Sequence, residues 1–160
     1  MRVVSQDQDW ESTITWSKAK SLETFRKRPE DAEASYYKLT GMIGGCLQLF
    51  YLGKTFDQVA HWRLEQPDHQ ARLAAIRQAY PGVDILVSVG DLETGERKRY
   101  ERRLIDEIES LLIFVHQPEF NANKLAWIEM SAWHYVTNTG DFAPLERVVY
   151  FGPAAGEDDE

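Results

Sequence analysis

A chain of 160 residues with 43% hydrophobic and 28% charged residues has the make-up of one ordinary globular domain, large enough to bury a core without covalent staples. Its single cysteine, Cys46, excludes an intramolecular disulfide and any cysteine-built metal cage, and reads as a small buried hydrophobe. The net charge of −8, four units of it from Glu157-Asp158-Asp159-Glu160, opposes any global attraction to a polyanion, so nucleic acid would have to meet a local basic patch.

The start is polar (Gln6-Asp7-Gln8-Asp9), unlike a signal peptide, and no apolar run is long enough to span a bilayer. The expectation is a cytoplasmic protein without a membrane partner. Residues 1–33 read as a helical N-terminal extension. Asp9 is placed to cap a short helix, and Ala19, Leu22 and Phe25 recur on one side of a second helix that ends at Pro29. Residues 34–122 form the main domain. It opens with two β-prone runs, one through Tyr37, Leu39 and Thr40 stopping at Gly41, the other from Leu47 to Leu52. Gly44-Gly45 between them is a hairpin signal.

Thr55 and Gln58 then fit a capping box opening a helix with Phe56, Val59, Ala60 and Arg63 on one face. Pro67-Asp68 starts a further helix, with Asp68 as its cap and Leu73, Ile76 and Tyr80 as its apolar stripe; Pro81-Gly82 ends it. The run Ile85 to Val89, nearly all apolar, reads as a central strand. A long helix over 99–115 follows, facing the core with Leu104, Ile108, Leu111, Leu112 and Val115, and Pro118 stops it. Residues 123–152 read as a helix over 123–136 and a last strand over 145–151 packed on the same core, and 153–160 as a disordered acidic tail. The fold class is α/β: a small, mostly antiparallel sheet of three core strands flanked by helices, with extensions at both ends.

Three stretches carry the chemistry. Ser35-Tyr36-Tyr37 stands in the first strand. Tyr51-Leu52-Gly53, followed by Lys54-Thr55, stands in the second, and Tyr51 follows Tyr37 by 14 residues. On the long helix, Glu109 lies at the border of the apolar stripe and is followed by Leu111-Leu112-Ile113, Pro118 and Asn121. This set resembles the GIY-YIG nuclease superfamily over roughly residues 35–121. The resemblance implies the α/β order just described and metal-dependent hydrolysis of phosphodiesters in nucleic acid, with DNA as the first expectation. It makes Glu109 the lone protein ligand for Mg²⁺ or Mn²⁺, with Glu107 as the fallback, and makes Tyr51 or Tyr37 the group that activates the attacking water. One carboxylate is enough in principle, because magnesium keeps most of its waters and takes phosphate oxygens.

The chain departs from the family where an arginine is usual, ten residues after the second-motif tyrosine: His61 stands there. A histidine is only partly charged near neutrality, so Arg63 is the alternative cation. The expected catalytic set is therefore Tyr37, Tyr51, His61, Arg63, Glu109 and Asn121, with Asn121 also holding its loop. Lys54, His69, Arg97, Lys98, Arg99, Arg102 and Arg103 are the expected nucleic-acid contacts. The basic run at 97–103 lies near a helix start, where cations oppose the helix dipole, which suggests an anion-facing patch. The alternative reading is a catalytically inactive relative serving as a binding or interaction module. The oligomeric state stays open, a homodimer included. If the nuclease reading holds, the tyrosines, Glu109 and a cation should converge on one open surface.

Overall fold

The computed structural model describes residues 9–27, 34–55, 64–94, 102–126, 128 and 130–152. Its elements in chain order are β1 (Asp9–Trp16), β2 (Lys20–Ser21), α1 (Leu22–Lys27), β3 (Tyr36–Ile43), β4 (Cys46–Lys54), α2 (Pro67–Ala79), β5 (Leu86–Glu93), α3 (Arg102–His116), β6 (Trp133–Gly140) and β7 (Val148–Phe151). The fold is α/β with one mixed sheet of seven strands in the order β4-β3-β5-β1-β6-β7; β2 pairs with β5 in line with β1. All neighbours run antiparallel except β1 and β6, which are parallel.

The three strands expected from the sequence form one end of this sheet. β3 and β4 turn on Gly44 and Gly45, at φ +57° and +82°. A two-residue hairpin loop needs positive φ, which glycine adopts without steric cost. β3 does not stop at Gly41 but continues to Ile43. Gly41 lies under Phe50, where a Cβ would come within 2.7 Å of the ring. Cys46, beside the turn that closes the hairpin, is exposed rather than buried.

Each terminal extension has a strand where one helix was expected, while α1 is the expected second N-terminal helix, with Leu22 and Phe25 buried, and β7 falls within the expected last strand. Residues 9–16 alternate: Ser12, Ile14 and Trp16 are buried, while Glu11 and Thr15 are exposed. That two-residue period, with β-branched Thr and Ile, favours a strand over the short helix expected after Asp9. β1 then fills the space between β5 and β6. The helix expected over 123–136 is also absent: described residues up to Ala132 are irregular and a strand begins at Trp133. At α2 the cap is Gln66, extended and without a side-chain bond, with Pro67 as the first helical residue; Asp68 does not cap. The helix expected after Thr55 lies outside the described residues, as does the tail. Thr55 itself donates its hydroxyl to the carbonyl of Ala34.

Two cores pack on the two faces of the sheet. α3 lies on one face, where Leu104, Ile108, Leu111 and Leu112 meet Ile14, Trp16, Tyr36, Leu52 and Val136. α1 and α2 cover the other, where Phe25, Leu73 and Ile76 meet Tyr37, Leu39, Phe50, Val87 and Val89. Strand alternation thus sends adjacent residues Tyr36 and Tyr37 into different cores. A bulge in β4 breaks the alternation. Leu39 pairs with Tyr51 and Thr40 with Leu49, so Phe50 is the extra residue. Phe50 and Tyr51 therefore both face α2.

Lys38 is buried between the ends of the sheet. Its ammonium donates to the carbonyls of Asp141 and Ala143, at 2.8 Å each, and lies 5.3 Å from the centre of the Trp16 ring. Burial lowers its pKa to about 8, against the opposing pull of Asp141. The lysine ties the turn after β6 to the middle of the sheet.

Candidate functional site

β4 is the outermost strand at its end of the sheet, and an unpaired strand edge exposes amides and carbonyls. The segment after α3 covers most of that edge. The amides of Glu119 and Phe120 donate to Leu49 and Phe50 carbonyls at 3.4 and 2.8 Å. Asn121 completes the cover with its side chain: Oδ1 accepts from the Leu52 amide at 3.0 Å, and Nδ2 donates to the Leu52 carbonyl at 2.9 Å. Asn121 is 8% exposed. It acts as one residue of an added strand, so its role is to fix β4 between Tyr51 and Gly53.

On the α2 face of this strand four side chains interlock. The Tyr37 hydroxyl is 2.7 Å from His69 Nε2, and Arg72 NH1 is 2.8 Å from His69 Nδ1. A guanidinium can only donate. Nδ1 therefore accepts, and in a neutral ring Nε2 carries the proton and donates to Tyr37. The Arg72 guanidinium carbon lies 4.0 Å from the centre of the Tyr51 ring, a cation–π contact, and Arg72 Nε donates to the Phe120 carbonyl at 3.3 Å. The His69 ring meets both tyrosines edge-on, at 5.6 Å from Tyr37 and 5.3 Å from Tyr51. Tyr37 and His69 are sealed at 0% exposure, whereas Tyr51 and Arg72 are half-buried and border the surface. Gly53 is required beneath them. A Cβ there would sit 2.5 Å from the Tyr37 ring, which cannot move while its hydroxyl is held by His69.

Glu109 stands on the α3 face. Its Oε1 is 2.6 Å from the Lys124 ammonium, and its side chain is 11% exposed. Lys124 itself adopts φ +65°, uncommon for a residue with a side chain. Nearby, the Lys54 ammonium pairs with the Asp106 carboxylate. Tyr36 donates its hydroxyl to the Ile105 carbonyl at 3.1 Å, and its pKa is raised by burial and then by the charges of Glu109 and Asp106. Glu107, the fallback ligand, points elsewhere. It accepts from the Ser131 amide and lies 3.0 Å from His134 Nε2, and these bonds hold its pKa down against the effect of burial.

The expected convergence is therefore met only in part. Tyr37 and Tyr51 come together, with ring centres 5.8 Å apart. Glu109 lies across the sheet from them, because α3 packs against the Tyr36 face. Tyr37 is enclosed and cannot touch an attacking water directly. His69 is buried and is no nucleic-acid contact; it is the link between Tyr37 and Arg72. Lys54 is partly exposed and paired, and Arg102 and Arg103 are exposed at the start of α3, whose first turn carries no acid. His61, Arg63, Arg97, Lys98 and Arg99 lie outside the described residues. The sequence reading missed Arg72 and Lys124. Arg72 had a signal, since helical spacing puts it one turn from His69 on the face that reaches β4; Lys124, in an irregular segment, had none.

Magnesium would find one suitable ligand here. Among the described residues no group of three or more His, Cys, Asp or Glu gathers as a metal cage. Glu109 alone fits a site shared with solvent and a phosphate substrate, provided Lys124 gives way. Among the described residues no helix is long and apolar enough to cross a membrane. Comparison of the chain with protein-family models, with curated proteins and with solved structures returns no match.

Proposed function

We propose that the chain is a divalent-metal-dependent nuclease of the GIY-YIG type, hydrolysing a phosphodiester laid over the margin of β4. The observation that carries the reading is the interlock of Tyr37, His69, Arg72 and Tyr51 on one side of that strand, with Asn121 fixing the strand and Glu109 on the other side. Because β4 ends the sheet, a substrate would reach groups from both faces by wrapping over residues 119–121, which cover the edge of that strand.

In this mechanism Tyr51, the phenol at the surface, positions the attacking water. Arg72 supplies the permanent positive charge that the missing family arginine would give, and stabilises negative charge growing on the phosphate oxygens. Tyr37 and His69 are positioning residues: they hold Arg72 against the Tyr51 ring. Glu109 would hold the metal ion, which when bound supplies Lewis-acid stabilisation to the phosphate. Lys54, Arg102 and Arg103 offer phosphate contacts that steer the strand in spite of the net negative charge.

The test is a cleavage assay on duplex and single-stranded DNA and RNA with Mg²⁺ or Mn²⁺. Wild type should cut at least one of them, and Glu109→Gln and Tyr51→Phe should each lose roughly a hundredfold or more. Undiminished cutting by Glu109→Gln would falsify this mechanism. The second reading is a module that binds without cutting. The Lys124–Glu109 pair favours it, because an ammonium already satisfies the carboxylate meant for the metal. Wild type that binds nucleic acid and leaves it intact would decide for that reading.

A further inference from the structure

Far from β4, the face of the sheet opposite α3 lies bare over β1, β6 and β7 among the described residues. β6 is inverted there. His134, Val136 and Asn138 point inward and are fully buried, while Trp133 and Tyr135 point out at 38% and 42% exposure. On β7, Tyr150 and Val148 are exposed at 56% and 43%. The rings form one surface: Trp133 stacks on Tyr150 with centres 5.3 Å apart and planes 22° apart, and Tyr135 meets Tyr150 at 5.8 Å. A strand serving only to cover a core would turn its indole inward and its imidazole outward.

The described charges nearest these rings, Glu11 and Glu93, are negative. Register places exposed Glu11 next to Tyr135, which in turn faces Tyr150. Thr13 of β1 pairs with exposed Glu93 of β5, so this carboxylate shares the aromatic face. The lysine of this face, Lys20, sits on β2 beside Val87, beyond the Asp91 end. We propose that this face is a docking surface for a cationic segment of another protein, an arginine- or lysine-rich stretch lying across Trp133, Tyr135 and Tyr150. Cations bind over aromatic faces, guanidinium most readily, and the flanking carboxylates complete the complementarity. The same charges argue against the other occupants. A polyanion would meet Glu11 and Glu93, and a second copy in a two-fold dimer would set like charges against like. The proposal stands apart from the nuclease site.

The experiment is fluorescence anisotropy on the full chain with a labelled twelve-residue arginine/serine peptide, against a glutamate/serine peptide and oligothymidylate. The arginine peptide should bind and release with salt, and the other two should not compete. The double variants Glu11→Gln/Glu93→Gln and Tyr135→Ser/Tyr150→Ser should each weaken binding about tenfold, while Glu109→Gln should leave it unchanged. The carboxylate variant alters exposed positions only, so it reads the surface even if the aromatic variant unfolds. Equal binding by wild type and the carboxylate variant would place the peptide elsewhere, on the acidic tail for instance, and overturn the proposal. So would competition by oligothymidylate, or a dimer by sedimentation that the aromatic variant abolishes.

Discussion

The sheet has a covered end and a bare end, and the two are built by different rules. β3 packs into a core on each face and buries its first six residues, whereas β6 alternates buried and exposed positions along its length. A strand covered twice is held by packing on both sides. A strand covered once depends on its neighbours and on a few polar ties. The candidate nuclease site grows out of the covered end, where rigid packing can hold four side chains in register. The aromatic face belongs to the bare end, where no described element shields it.

Truncations sharpen the contrast most. Phe50, fully buried, stacks on Tyr80 at 5.5 Å and meets Phe120 edge-on at 6.0 Å. Phe50→Ala should cost about 3–5 kcal/mol in urea unfolding. Next is the polar cover of the same end. Asn121→Ala leaves the Leu52 amide and carbonyl without their partners and should cost about 2 kcal/mol, with faster amide exchange at Leu52 than elsewhere on β4. If it costs nothing, the clasp does not hold the edge.

The bare end has a titratable tie. His116 Nδ1 donates to the Leu112 carbonyl at 2.7 Å, and Nε2 accepts from the Glu146 amide at 2.9 Å, which requires the neutral ring. Burial lowers its pKa from 6.5, against the raising effects of the Leu112 carbonyl and Glu146. Below pH 6.5 the unfolded chain therefore takes up a proton that the folded chain resists, and stability falls as pH drops. Between pH 7.5 and 5.5 wild type should lose more stability than His116→Gln, an effect smaller than that of Asn121→Ala. Smallest of all, Tyr150→Ser should change stability by no more than about 0.5 kcal/mol, since its ring faces solvent. A larger loss there would mean that the bare end is structurally committed after all.

The same division explains what could be read from the sequence. The covered end announces itself in apolar runs, in Gly44-Gly45 and in the stripe of α3, and its three strands and the helix carrying Glu109 were legible. β1 was legible in principle, because Trp10, Ser12, Ile14 and Trp16 alternate with polar residues, but Asp9 ahead of them reads as a helix cap and points to a short helix instead. β6 was hidden by its inversion: with His134 and Asn138 inside and Trp133 and Tyr135 outside, the usual pattern is reversed, and Leu125, Ile128, Ala132 and Tyr135 suggested a helix stripe instead. At the site, the motif residues located Tyr51, Asn121 and Glu109 on their elements. What spacing alone does not fix is the face. Whether Tyr37 or its neighbour Tyr36 meets α3 depends on strand register, and the bulge at Phe50 then turns Tyr51 to the same side as Phe50.

β1 is made before both of the strands it lies between, β5 and β6. Its partner on one side, β6, begins more than a hundred residues downstream, and Thr15 and Thr139, whose hydroxyls meet at 3.2 Å, are 124 positions apart. Closing so long a loop is slow compared with forming the β3–β4 hairpin. The nascent chain can therefore assemble its tyrosine-bearing hairpin early and must keep β1 waiting until β6 has been made. Removing β1 would not shave a loose extension; it would leave β5 and β6 with no strand to join them.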